Sequence, residues 1–168
     1  SSAEAQGQIV GGMEIVDLQG KLALPGLHDV HMHPLEAGSD VVSCELKANT
    51  PIERQHDAIR ACGKHETGSA WVLGWGHSLP QLMEAAKSQT PRAILDALIP
   101  DRPAALMEET SHSVWVNSKA LALAGMNAAT PHPQGGAILK DGQGNPNGIL
   151  LDAAGDQVYD LAFTPAGN

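Results

Sequence analysis

No apolar run in this sequence approaches the roughly 18 to 20 residues that a membrane-spanning helix requires. The amino end, SSAEAQGQIV, also lacks the charged-then-apolar order of a secretory signal. A soluble protein is expected, with the cytoplasm as the favoured location. Basic residues are scarce: 10 Lys and Arg stand against 19 Asp and Glu, for a formal charge of -9. Such a surface repels phosphate backbones, and Lys21, Lys47 and Lys64 are scattered singly, so nucleic acid and anionic membrane surfaces are excluded as partners. Two cysteines, Cys44 and Cys62, cannot make a disulfide framework in a chain of this size, and both are read as buried or idle thiols. Also missing are a glycine-rich phosphate loop, a GxSxG elbow, a CxxC pair and an HExxH helix, which removes nucleotide binding and the common nucleophile motifs.

What is present is a globular composition, 42% hydrophobic and 17% charged over 168 residues, enough for one respectable core. Short β-leaning runs with glycines fill QIVGGMEIVDLQGKLALPG, with a turn at Gln19-Gly20 and a buried strand ending at the histidines. NTPIERQHDAIRACGKHETG opens a helix with Thr50 as N-cap, Pro51 at the first position and Glu53 completing a capping box; Gly63 or Gly68 ends it. AWVLGWG and PAALME read as strands, TPRAILDALIP as a short helix, and Asn117 or Ser118 as the cap of a helix that Gly125 stops. DGQGN suggests a hairpin lying as an excursion from the main layer, and LLDAAGDQVYDLAF a last helix.

The densest chemistry lies in LPGLHDVHMHP. Side chains two apart on a strand share a face, so His31 and His33 would aim two imidazoles at one point, a pairing suited to zinc and its neighbours. Eight histidines would give roughly 0.4 such pairs by chance, so context decides. An apolar run and PG precede the pair and Pro34 follows it, as where a barrel strand opens into a catalytic loop. Asp29 has the same parity and could orient a ligand's second nitrogen. His77 and His112 each follow a predicted strand and, with Trp75, are candidates for a substrate pocket on the same rim. Trp71 and Trp115 are read as core, and His56, His65 and His132 as surface.

LALPGLHDVHMHP is similar to the opening metal-binding strand of the amidohydrolase superfamily. WVLGWGHS, LDALIPDRPAALMEETSHSVWVNSKALALAGM and PQGGAILKDGQGNPNGILLDAA resemble the amidohydrolase family 3 group, which includes N-substituted formamide deformylases. The likeness runs from about Met13 to Phe163. It implies an α/β fold, a TIM barrel with a small β-sandwich, one or two zinc-like ions, and hydrolysis of carbon-nitrogen, amide-type bonds in a small molecule by a metal-activated water. His31 and His33 would be ligands, and Asp152 stands where many relatives carry a metal-bridging Glu. A complete barrel needs roughly 250 residues, so the expectation is a fragment: residues 1–24 as a sandwich remnant, and 25–168 as the front of a barrel with a hairpin-like insertion around 132–150. Further ligands and the general base would come from strands beyond Phe163, leaving the piece inactive alone and, through its open edges, a homo-oligomer. The rival expectation is a non-catalytic, metal-binding or self-associating structural unit.

Overall fold

The computed structural model describes residues 4, 6–30, 44–65 and 69–163. The chain divides into two units, residues 1–33 and 34–168. In the first, Lys21 N donates to Leu18 O at 3.0 Å around the expected turn at Gln19 and Gly20, both with positive φ. Asp17 Oδ1 accepts from Gln19 N and favours that turn. The strands expected between Gln8 and Val30 do not form among the described residues, and Leu22, Leu24, Leu27 and Val30 are exposed. A lone extended segment gains neither ladder hydrogen bonds nor a buried face.

The second unit is built on strands β1 (Cys44–Glu45), β2 (Val72–His77), β3 (Ala104–Glu108), β4 (Ser113–Val116), β5 (Gly136–Lys140) and β6 (Pro146–Asp152). Helices α1 (Ile52–Lys64), α2 (Leu79–Ala85), α3 (Pro91–Leu98), α4 (Ser118–Leu123) and α5 (Ala153–Phe163) complete it. The six strands form one sheet in the order β1-β2-β3-β4-β6-β5. β1, β2 and β3 run parallel, whereas β4 is antiparallel to both β3 and β6. β6 therefore points the same way as the first three.

Period-two alternation splits the core between two faces. Leu106, Trp115 and Ile149 pack with Ile59 of α1, Leu82 of α2 and Leu95 of α3. Ala105, Val114, Val116 and Leu150 pack with Leu121 of α4 and Val158 of α5. Helices thus cover both faces of the sheet, and Trp71 and Trp115 are core as expected.

Local signals placed most helices. Thr90 Oγ1 accepts from Ala93 N, with Pro91 starting α3. Asn117 Oδ1 accepts from Ala120 N and Ala104 N, while its amide donates to Ile99 O and Arg102 O, so one buried side chain caps α4 and ties it to β3 and α3. Gly125 takes the left-handed conformation after α4.

Five readings change. The α1 capping box does not form, because the Thr50 hydroxyl donates to Lys47 O at 2.7 Å and the helix makes no side-chain cap bond. Gly63 lies inside α1, which runs to Lys64. β4 occupies part of what reads as a polar approach to a helix, and the β5–β6 hairpin joins the main sheet instead of leaving it, because Leu150 and Ile149 pair with Val114 and Trp115. Finally, Cys44 and Cys62 are joined in a disulfide, their Cα atoms 5.8 Å apart. The chain returns from β1 through α1 so that Cys62 faces the strand it left, a proximity that 18 residues of separation do not encode.

Candidate active site at the carboxyl rim of the sheet

Strand direction decides where chemistry can gather. The carboxyl ends of β2, β3 and β6 lie on one edge of the sheet, together with the start of β4, and such an edge is where parallel α/β architectures place their ligands. Their terminal residues are His77, Glu108 and Asp152, and His112 immediately precedes β4.

Two of the candidates meet. His112 Nδ1 lies 3.0 Å from Asp152 Oδ1, and Asp152 N donates to His112 O at 3.0 Å. The pair is thus fixed by backbone and side chain together. With Asp152 as the acceptor, Nδ1 is the donor, and a neutral ring then presents Nε2 as its free nitrogen. Both side chains are largely solvent-exposed, at 78% and 54%, so the contact contributes little stability; what it fixes is orientation. Two non-glycine residues beside it, Ser111 (φ 64°) and Asp152 (φ 45°), adopt positive φ. Backbone strain of that kind, of order 1 kcal/mol or more per residue, persists where surrounding contacts impose it.

Glu108, which no sequence motif singles out, supplies those contacts around Ser111. Thr110 N donates to its Oε1 at 2.9 Å, the Thr110 hydroxyl donates to the same oxygen, and Ser113 Oγ donates to Oε2 at 3.2 Å. Ser111 N also donates to Glu108 O at 3.0 Å. Burial pushes the Glu108 carboxyl up, but the hydrogen bonds from Thr110 and Ser113 outweigh it and hold the group below the usual carboxylate range.

His77 behaves differently from an open pocket residue. It is completely buried, with its ring edge-on to Trp115 at 5.6 Å between centroids. Neither ring nitrogen has a hydrogen-bond partner. Burial drives its pKa down to about 4, against an opposing pull from Glu108. The backbone at Ser78 and Leu106 also favours the protonated ring, although neither contact has hydrogen-bond geometry. Gly76 explains the placement: at φ 99° it allows the bulge between Trp75 and His77, and a Cβ there would lie 2.3 Å from Leu46 O. Trp75 itself is half-buried.

His56, expected at the surface, is half-buried against Trp115 at 6.3 Å. Burial, reinforced by Arg60, lowers its pKa. His65 and His132 are exposed, and His132 Nδ1 accepts from Ile138 N. Asp29 is exposed in the first unit. His31 and His33 lie outside the described residues. Among the described residues no three His, Cys, Asp or Glu side chains gather as a metal-holding group, and no helix is long and apolar enough to cross a membrane.

An α/β sheet with an imidazole-carboxylate pair at its carboxyl rim does not by itself define a function, and comparison narrows it. The sequence pattern of the amidohydrolase family matches residues 14–168, and the chain belongs to that family. It is 34% identical over 149 residues to the amidohydrolase YtcJ of Bacillus subtilis, covering 86% of this chain and 27% of that protein. It is 29% identical over 165 residues to the N-substituted formamide deformylase of Arthrobacter pascens, covering 97% and 30%. The fold is similar to that of an uncharacterized metal-dependent hydrolase from Pyrococcus furiosus, with a TM-score of 0.53, 21% identity, and coverage of 99% of this chain and 30% of that one. A second such hydrolase, from Pyrococcus horikoshii, gives 0.54 at 24% identity, covering 94% and 28%. The chain therefore spans less than a third of the length of these relatives.

Proposed function

We propose that this chain is the front part of a metal-dependent hydrolase that cleaves carbon-nitrogen, amide-type bonds in small molecules. The observation that carries the reading is the family match over residues 14–168 coinciding with a fixed His112–Asp152 pair on the carboxyl rim. In this reading the second unit is part of a TIM barrel and residues 1–24 are a remnant of the sandwich before it. His31 and His33, with Asp152, hold one or two divalent ions, zinc by ligand preference. The described donors alone do not fit a metal: His112 and Asp152 are chemically suitable but already engage each other, and no third group joins them. When bound, the cation would bring water to deprotonation near neutral pH.

The chain's own residues carry the rest. Asp152 commits Oδ1 to His112. Asp29 orients a first-strand imidazole. His112 and Trp75 meet the substrate, and His77, buried against Trp115, supports the end of β2. A general base is not among these residues. The chain is accordingly proposed to be catalytically incomplete and to self-associate as a homo-oligomer, a reading supported by exposed Ile15, Val16, Leu22 and Leu24.

Purified chain supplied with zinc and an N-substituted formamide is expected to release no formate above the zinc-only background. Metal-dependent release, abolished by a chelator, would overturn the incompleteness of the site.

A further inference from the structure

We propose that Glu108 is a positioning residue: by gathering the Thr110 and Ser113 donors into one tight turn, it holds His112 against Asp152 with Nδ1 facing the carboxylate. The relevance to catalysis rests on the hydrolase reading above, whereas the geometry stands without it.

Ser111 at φ 64° lacks glycine's freedom, so something must impose the turn between β3 and β4. Both Glu108 carboxylate oxygens face into that turn, Oε1 taking Thr110 N and the Thr110 hydroxyl, and Oε2 taking Ser113 Oγ at 3.2 Å. Ser111 N closes the turn onto Glu108 O. Thr110 and Ser113 bracket Ser111 and His112, so the carboxylate fixes both ends of the segment that presents the imidazole. Glu108 is itself buried and anchored in register opposite His77, which gives the turn a rigid foot in the sheet. His112 is exposed and meets Asp152 40 residues away. The bond from Asp152 N to His112 O fixes the main chain there, but the exposed ring on it keeps one rotamer and one tautomer only under further restraint, because a surface pair of this kind contributes little by itself.

The test reads the tautomer directly. Imidazole 15N shifts of His112 at a pH where the ring is neutral distinguish Nδ1–H from Nε2–H. Wild type is expected to be mainly Nδ1–H. Glu108→Ala should shift the ring to mainly Nε2–H, the form an unconstrained imidazole prefers, whereas Glu108→Gln should retain Nδ1–H because its amide oxygen still accepts from Thr110. Thr110→Val, a change at an exposed side chain that leaves the fold intact should Glu108→Ala unfold, is expected to give an intermediate mixture. A merely structural glutamate would alter the melting temperature and leave the tautomer unchanged. Full Nδ1–H in Thr110→Val and in folded Glu108→Ala would overturn the proposal, as would Nε2–H in wild type. Zinc binding by the same wild-type sample reads the hydrolase proposal separately: its absence beside an Nδ1–H ring would sink that reading and leave this one standing.

Discussion

Acidification from pH 6.5 to pH 4 should cost the fold about 3 kcal/mol through His77 alone. The ring is fully buried without a hydrogen-bond partner, and burial holds its pKa at about 4 instead of 6.5. The sign follows from proton counting. Between those values the unfolded chain binds a proton at His77 and the folded chain does not, so stability rises with pH across the window. The contribution is fully present above pH 6.5 and is lost as pH falls toward 4. Other carboxylates, Glu108 among them, add acid sensitivity at lower pH, so the comparison has to be made against a variant. His77→Phe keeps an aromatic ring against Trp115 and cannot titrate. Urea unfolding at several pH values should show a shallower pH dependence for the variant between 6.5 and 4. Parallel curves for the two proteins would mean that His77 is solvated or partnered after all.

The second large effect concerns the disulfide. Cys44–Cys62 closes a loop of 18 residues in sequence separation, for which the chain-entropy account gives about 3 kcal/mol. Cys62→Ser, or reduction of the wild type, should lower the unfolding free energy by about that amount. The loss should appear first as faster amide exchange in β1 and α1, since β1 pairs over only two residues and the bond ties this short edge strand to the helix. Oxidised protein should present no reactive thiol, folded or unfolded, until a reductant is added. Equal denaturation midpoints with and without reductant, or two thiols titrating in the native state, would contradict the prediction.

These two groups also mark where sequence reasoning stops. Caps and stops were legible because their signals act within a few residues: Thr90 before Pro91, Asn117 before α4, Gly125 after it. The Cys44–Cys62 bond and the return of β4 and β6 into the main sheet depend on contacts across the fold, which no local pattern encodes. At the site, His112 and Asp152 could be singled out separately, but their union follows only from the pairing of β4 with β6. Glu108 did leave a signal: it shares strand parity with buried Ala104 and Leu106, and a carboxylate on a core-facing position asks for partners. For His77, parity misleads, because the bulge at Gly76 rotates the end of β2.

Zinc binding by equilibrium dialysis tests the proposal that this chain carries the metal-holding front of an amidohydrolase. Wild type should take up zinc stoichiometrically, and His31→Ala and His33→Ala should each abolish that uptake without unfolding the second unit. No stoichiometric zinc in the wild type, or uptake indifferent to both substitutions, would contradict it.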